Sequence, residues 1–234
     1  MNQNADPAEL GRFNALAHDW WAPDGPMGPL HAITPLRLDY IQATRPLKGL
    51  RVADIGCGGG IVAEAMCRAG AKVTAIDLSS ELLGAAQLHA EDCGLDIDFR
   101  ETSAEALAQA MPGRFDLVTC LEMLEHVPEP SSIVAACRTL VKPDGEVLFS
   151  TINRNPKAFA LAIVGAEYLL RRLPRGTHQY EKLIRPAELA TWSRDAGLAV
   201  QDMTGLVYNP ITQVYRLHPT DVGVNYFMRT CPAA

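Results

Sequence analysis

Between residues 50 and 152 short apolar runs alternate with longer helical stretches. The runs are Arg51–Ile55, Lys72–Ile76, Ile97–Arg100, Phe115–Cys120 and Glu146–Thr151. The helical stretches between them are Ile61–Ala69, Ser80–Cys93, Ser103–Gln109 and Ser131–Val141, with Gly94, Gly113 and Gly145 at the joins. Strands alternating with helices build βαβ units, and βαβ units build a parallel sheet covered on both faces. The pattern predicts an α/β fold: a doubly wound, mostly parallel sheet with helices on both sides.

Two segments lie outside that alternation. Residues 1–49 read as a helical extension, with Asp6-Pro7 as a helix start and Leu10, Phe13, Leu16 and Ala17 at helical spacing. Ala22 to Pro29, rich in proline and glycine, reads as a loop, and a second helix is expected from Thr34-Pro35 to Ala43. Residues 157–186 read as an insert, followed by a helix over Pro186–Ala196 and strand candidates at Leu198–Leu206 and Gln213–Leu217. At 234 residues the chain fits one domain with terminal additions, 1–234.

Composition narrows the function classes. With 48% hydrophobic and 21% charged residues the chain is no disordered segment. Its net charge of −6 leaves no broad cationic face for phosphates, so no nucleic-acid partner is expected. The six cysteines are scattered, with no CxxC pair, and read as reduced, mostly buried thiols of a cytoplasmic protein. The N-terminus lacks the basic and apolar regions of a signal peptide, and no apolar run reaches the roughly 20 residues of a membrane span.

The first strand hands over to Gly56-Cys57-Gly58-Gly59-Gly60. Glycines there let the backbone turn sharply and let a ligand approach main-chain N–H groups at a helix start. The dinucleotide fingerprint GxGxxG would need glycine where Ile61 stands, and the spacing present is GxGxG. Asp77 closes the second strand 21 residues after Gly56, the separation at which an acid meets ribose hydroxyls. Loop and acid together point to a nucleoside cofactor, and GxGxG tilts the choice from NAD toward S-adenosylmethionine, which has a ribose but no pyrophosphate. Asp54 either meets the cofactor's amino group or caps the following turn. Thr102-Ser103, after the third strand, fits loop hydrogen bonding better than an adenine contact.

A second constellation follows the fourth strand: Glu122, Glu125 and His126. On a helix they would stand at i, i+3 and i+4, on one face beside the cofactor. Two carboxylates and an imidazole can ligate a divalent cation, or one of them can serve as general base. A solvated helix face explains them equally well.

At these residues the chain resembles the class I S-adenosylmethionine-dependent methyltransferases, through VADIGCGGG, AIDLS and FDLVTCLEMLEHV. FNALAHDWWAPDGPMGPLHAITPLRLDYI, FSTINRN, VGAEYLLRRLPRGTHQYEKLIRPAEL and TGLVYNPITQVYRL resemble, more narrowly, the ubiquinone-biosynthesis O-methyltransferases. The resemblance implies a Rossmann-like fold and methylation of phenol or catechol hydroxyls on polyprenylated intermediates, at both O-methylation steps. It further implies cofactor contacts at Arg37, Gly56, Gly58, Asp77 and Leu121. Leu121 stands where methionine is frequent, a swap of similar volume. Glu122, Glu125 and His126 match positions assigned to Mg2+, and His126 is the expected base if no metal takes part. Arg37 taken alone could equally be a solvated helix arginine.

The insert carries Lys157, Arg171, Arg172, Arg175, Lys182 and Arg185 against Glu167 and Glu181, +4 locally, beside the apolar run Ala158–Leu170. On its residues alone it reads as a buried helix with a basic end. A membrane-borne substrate turns the expectation to a segment or lid in peripheral contact with the inner, anionic face of the membrane. Other quinone-biosynthesis enzymes are conceivable partners. Three rivals stand beside this reading: methylation of carbon or of another phenol, an NAD(P)-dependent oxidoreductase, and a non-catalytic scaffold.

Overall fold

The computed structural model describes residues 4–22, 24–159 and 179–233. Its strands are β1 (Arg51–Ile55), β2 (Lys72–Asp77), β3 (Asp98–Glu101), β4 (Phe115–Leu121), β5 (Val141–Ile152), β6 (Leu198–Asn209), β7 (Val214–His218) and β8 (Asn225–Pro232). They form one sheet in the order β3-β2-β1-β4-β5-β8-β6-β7. Pairs among β1 to β5 are parallel, whereas β8, β6 and β7 join antiparallel. The central strands are buried along most of their length, as a sheet covered on both faces requires.

The helices are α1 (Pro7–Asn14), α2 (Gly28–Ile41), α3 (Ile61–Arg68), α4 (Ser80–Asp92), α5 (Ala104–Ala110), α6 (Pro130–Leu140), the single turn α7 (Pro156–Ala158) and α8 (Pro186–Asp195). The start expected at Asp6-Pro7 is present: the Asp6 side chain accepts from the N–H of Ala8, and Pro7 opens the helix. Ser79 and Ser103 cap α4 and α5 in the same way.

Three sequence expectations need correction. α2 begins at Gly28, not near Thr34, so the supposed loop already ends before Pro29. Pro29 suits a first turn, and Pro35 is accepted inside the helix because Ile33, Arg37, Tyr40 and Ile41 are buried. β5 starts at Val141 rather than Glu146, with a register break that accommodates Pro143-Asp144-Gly145. β8 was not foreseen: its run holds Arg229 and Thr230 among apolar residues, and only the fold buries and pairs them. Arg229 reaches Glu146 and the carbonyl of Tyr40, while Thr230 reaches the carbonyl of Val147. The cysteines are all free, but only Cys120 and Cys137 are fully buried and Cys93 is exposed.

Two apolar cores line the two sheet faces. One gathers Phe115, Phe149, Leu140 and Tyr226 beneath α5, α6 and α8; the other gathers Tyr40, Leu47, Met66 and Phe227 beneath α2 and α3. After β3 the chain returns to the far side of β1 to form β4. The carboxyl ends of β1 and β4 therefore flank the crevice where such sheets receive ligands.

Candidate active site

A cavity of about 550 Å³ opens at those carboxyl ends. Arg37, Asp54, Gly56, Gly58, Asp77, Leu121, Glu122 and His126 all line it. Of the site residues expected from sequence, Glu125 alone is not on its wall. The fold thus collects residues from α2, β1, the glycine loop, β2, β4 and the turn after β4 that the chain separates by up to 89 positions.

The glycine loop is built as its composition demands. Gly56 has φ of 69°, and a Cβ there would run into the Met123 side chain. Both the backbone and the neighbour exclude any other residue. Asp77 ties the loop to the end of β2. One of its oxygens accepts from the N–H of Gly58 at 2.9 Å and the other from that of Ser79 at 2.9 Å. Burial pushes this carboxyl above the usual range, against the pull of those two N–H groups. Leu121 ends β4 and contributes an apolar wall.

Two buried charges face the cavity with unused hydrogen-bonding capacity. Arg37, 3% exposed, is no solvated helix residue. Its guanidinium lies 3.5 Å from Glu122, while Nε and Nη2 have no hydrogen-bond partner. Asp54 does not cap a turn: Oδ1 accepts from the Thr119 hydroxyl at 2.7 Å, and Oδ2 is buried without a partner. Burial pushes the Asp54 carboxyl up to about 6, although Thr119 and Arg37 both act to lower it. Unpaired buried polar atoms cost about 1–3 kcal/mol each, so their concentration at one cavity marks a site for a polar ligand.

Glu122, Glu125 and His126 do not share one helix face, which corrects the sequence expectation. Only Leu124–His126 form a turn of 3-10 helix, and Glu122 precedes it with φ of 54°. A side chain held in that region costs on the order of 1–3 kcal/mol and persists where its surroundings over-determine it. Here the Glu122 carboxylate accepts from Ser150 at 2.5 Å and from Asn225 at 2.8 Å, beside Arg37. Glu125 turns inward: Oε2 accepts from Thr151 at 2.8 Å and Oε1 is buried without a partner. Burial and the neighbouring Glu122 push its carboxyl up. His126 pairs through Nδ1 with Glu9 of α1 at 3.2 Å, and Phe13 meets its ring edge-on at 5.0 Å. Burial acts to lower the His126 pKa, but the Glu9 hydrogen bond and the charges of Glu125, Glu9 and Glu122 raise it above the ordinary value.

Several of these partners were not legible in the sequence. Asn225, Ser150 and Thr151 arrive from β8 and β5, and Glu9 comes from a helix 117 residues away from His126. Ser150 and Thr151 lie in FSTINRN, which carries the family resemblance but says nothing of these bonds, and Asn225 and Glu9 lie in no motif that the sequence singles out. Lys182 also bonds Asp6 and Glu9, at 3.0 and 3.2 Å, so α1 is clipped onto the site from both sides.

The family model described as a methyltransferase domain matches residues 31–202. The ubiquinone biosynthesis O-methyltransferases of Stutzerimonas stutzeri and Ralstonia nicotianae are each 58% identical to this chain over 227 residues. The alignments cover 97% of this chain and 97% and 95% of those relatives. The chain belongs to the ubiquinone biosynthesis O-methyltransferases. Two solved structures share the fold at lower identity. Magnesium protoporphyrin IX methyltransferase from Synechocystis, solved with bound SAM, is 21% identical with a TM-score of 0.66, covering 100% of both chains. The YcgJ protein of Bacillus subtilis is 16% identical at a TM-score of 0.62, covering 87% of this chain and 99% of its own. Those two likenesses bear out the doubly wound, Rossmann-like sheet, while the activity of an O-methyltransferase comes from the family.

Proposed function

We propose that the chain transfers a methyl group from S-adenosylmethionine to phenol or catechol hydroxyls of polyprenylated intermediates, at both O-methylation steps of ubiquinone biosynthesis. The carrying observation is a pair of buried charged groups beside the glycine loop with polar atoms left without hydrogen-bond partners. Arg37 offers free donors and Asp54 a free carboxylate oxygen, matching the carboxylate and ammonium of the cofactor's amino-acid end. Asp77, fixed by Gly58 and Ser79, keeps lone pairs for ribose hydroxyls.

When bound, the cofactor supplies an electrophilic methyl group. The chain must then align an oxygen with it and take the phenol's proton. His126 lines the cavity and is the base in this reading. Glu9 stabilises the imidazolium that results, as an orienting carboxylate does for a catalytic histidine. The Mg2+ expected at Glu122, Glu125 and His126 does not fit the three side chains as they stand: among the described residues their donor atoms do not gather within 4.8 Å of one another, although Glu125 Oε1 is unpartnered. In the structure Glu122 and His126 already have protein partners, so the ion would compete with Ser150, Asn225 and Glu9.

Membrane contact through residues 157–186 belongs to the same reading. No helix among the described residues is long and apolar enough to cross a bilayer. Residues 160–178, with Arg171, Arg172 and Arg175, lie outside the described part. Of the remaining cations, Lys157 pairs with Asp221 and Lys182 with Asp6 and Glu9, which leaves less free charge than the sequence suggested.

Transfer of labelled methyl from S-adenosylmethionine to a short-chain prenyl catechol, with and without EDTA, tests the whole. Label on oxygen supports the reading, and label on carbon replaces it with the rival. Turnover lost on chelation and restored by Mg2+, with cofactor affinity kept, assigns the metal role; turnover indifferent to chelation assigns His126 as the base.

A further inference from the structure

Between α1 and α2 the chain lays two adjacent tryptophans on the glycine loop. Trp20 is 5% exposed and lines the cavity. A Cβ on Gly58 would stand 2.7 Å from its Cζ2, and one on Gly59 would collide with the same indole. The glycines therefore admit this ring as well as a ligand. Trp20 packs with Met27, Ile61 and Leu82 in a small core of its own, and His31 bonds its carbonyl at 3.1 Å. Its Nε1 is buried and has no partner. An indole N–H in that state lacks a bond worth about 1 kcal/mol and needs an acceptor the protein does not supply.

Trp21 explains how the neighbour is held. Its Nε1 donates to the carbonyl of Gly59 at 2.9 Å, so it is fastened to the loop itself. Its ring stacks on His89 of α4, with centroids 3.5 Å apart and planes 4° from parallel. His89 is fixed in turn by Glu64 of α3, Nδ1 to Oε1 at 2.6 Å, and Glu64 is buried. Neither Glu64 nor His89 touches the cavity wall or takes part in the chemistry above. Glu64 fixes one edge of the His89 ring, and Trp21 covers a face of that ring.

Glu64, His89 and Cys93 also bring three donor atoms within 4.8 Å of one another. The second Glu64 oxygen is taken by Arg68 at 3.2 Å. A guanidinium at that place opposes a cation. The stack accounts for the Trp21, His89 and Glu64 contacts without a coordination sphere.

We propose that Trp20 is a cofactor-contacting residue whose indole N–H donates to an acceptor oxygen of the bound ligand, and that Trp21, His89 and Glu64 are positioning residues holding it on the glycine loop. The inference rests on the cofactor reading of this cavity. Glu64 of α3 and His89 of α4, both off the cavity wall, then set cofactor affinity without meeting the cofactor.

The test is calorimetric titration of S-adenosylhomocysteine into the full-length protein and into Trp20→Phe, His89→Ala and His89→Phe. Trp20→Phe keeps an apolar ring and loses the N–H, so affinity drops about three- to tenfold, the scale of one hydrogen bond. His89→Ala removes the stacking platform and gives a similar drop. His89→Phe restores most of it, because a flat ring suffices. In steady state the His89→Ala loss falls on KM for the cofactor rather than on kcat. Trp20→Phe binding like the wild type overturns the proposal even where His89→Ala fails to fold. So does EDTA-treated wild type reproducing the His89→Ala loss, which would make the cluster a metal site. A wild type that binds no S-adenosylhomocysteine overturns the cofactor reading itself, whereas a binding wild type with unaffected variants overturns only this step.

Discussion

Replacing Asp54 with asparagine sets stability against binding. Its carboxyl is buried among β1, β4 and the glycine loop, and burial lifts its pKa from 3.8 to about 6. That lift corresponds to about 3 kcal/mol by which the folded protein disfavours the charged form above pH 6. The sign follows from linkage: the folded state holds the proton more tightly, so stability is greatest below the unfolded value and falls as pH rises from about 4 to about 6. Asp54→Asn keeps the shape, and its amide oxygen still accepts from Thr119. The amide nitrogen, where Oδ2 is now unpartnered, gives back about 1–2 kcal/mol. The variant is therefore expected to be about 1–2 kcal/mol more stable than wild type at pH 7.5 in urea unfolding. Near pH 4, where Asp54 itself is neutral, that advantage vanishes. Binding goes the other way. Losing a charge-assisted bond to the cofactor's ammonium costs about 1.5–3 kcal/mol, or roughly ten- to hundredfold in the Kd for S-adenosylhomocysteine. Wild-type affinity should also decline as pH drops below about 6, and the variant's should not share that decline. A variant that binds as tightly as wild type refutes the placement of the ammonium. A variant less stable at pH 7.5 refutes the account of the buried charge.

Three further outcomes follow from the same geometry. Asp77→Ala removes the brace of Gly58 and Ser79, and calorimetry should show cofactor binding weaker by about 1–3 kcal/mol in a folded variant; unchanged binding removes the acid from the site. Glu9→Gln removes the partner that helps raise the His126 pKa, so the acidic limb of the pH–rate profile should move to lower pH, and an unmoved limb dismisses His126 as the base. Arg171→Glu with Arg172→Glu should weaken flotation with anionic liposomes at low salt while turnover of a water-soluble analogue persists, since each basic residue near such a surface contributes about 1 kcal/mol; binding indifferent to both reversals reduces the insert to a lid or packing element.

The α/β alternation, the glycine loop and the acid at the end of β2 are legible along the chain, because each depends on neighbours a few residues apart. Apolar runs, helix caps and left-handed glycines are local chemistry, and β1, α3 and α4 lie within a residue of where periodicity put them. The sequence singles out Arg37 and Asp54 but leaves their roles open, since a carboxylate beside a turn looks the same whether or not a threonine opposite it on the neighbouring strand occupies one oxygen. That Asp54 keeps an unpaired oxygen and that Arg37 is buried against Glu122 follows from strand pairing and helix packing. The trio Glu122, Glu125 and His126 shows the limit most clearly. Helical spacing predicted one face, yet long-range bonds to Ser150, Asn225, Thr151 and Glu9 point the three side chains apart. β8, with Asn225 and the buried Arg229, had no local signal, because its residues suit a strand only where β5 and β6 pair with them and Glu146 neutralises the arginine. Hydrophobic period is written into the chain, but the pairing of polar side chains across the sheet exists only once the strands are assembled.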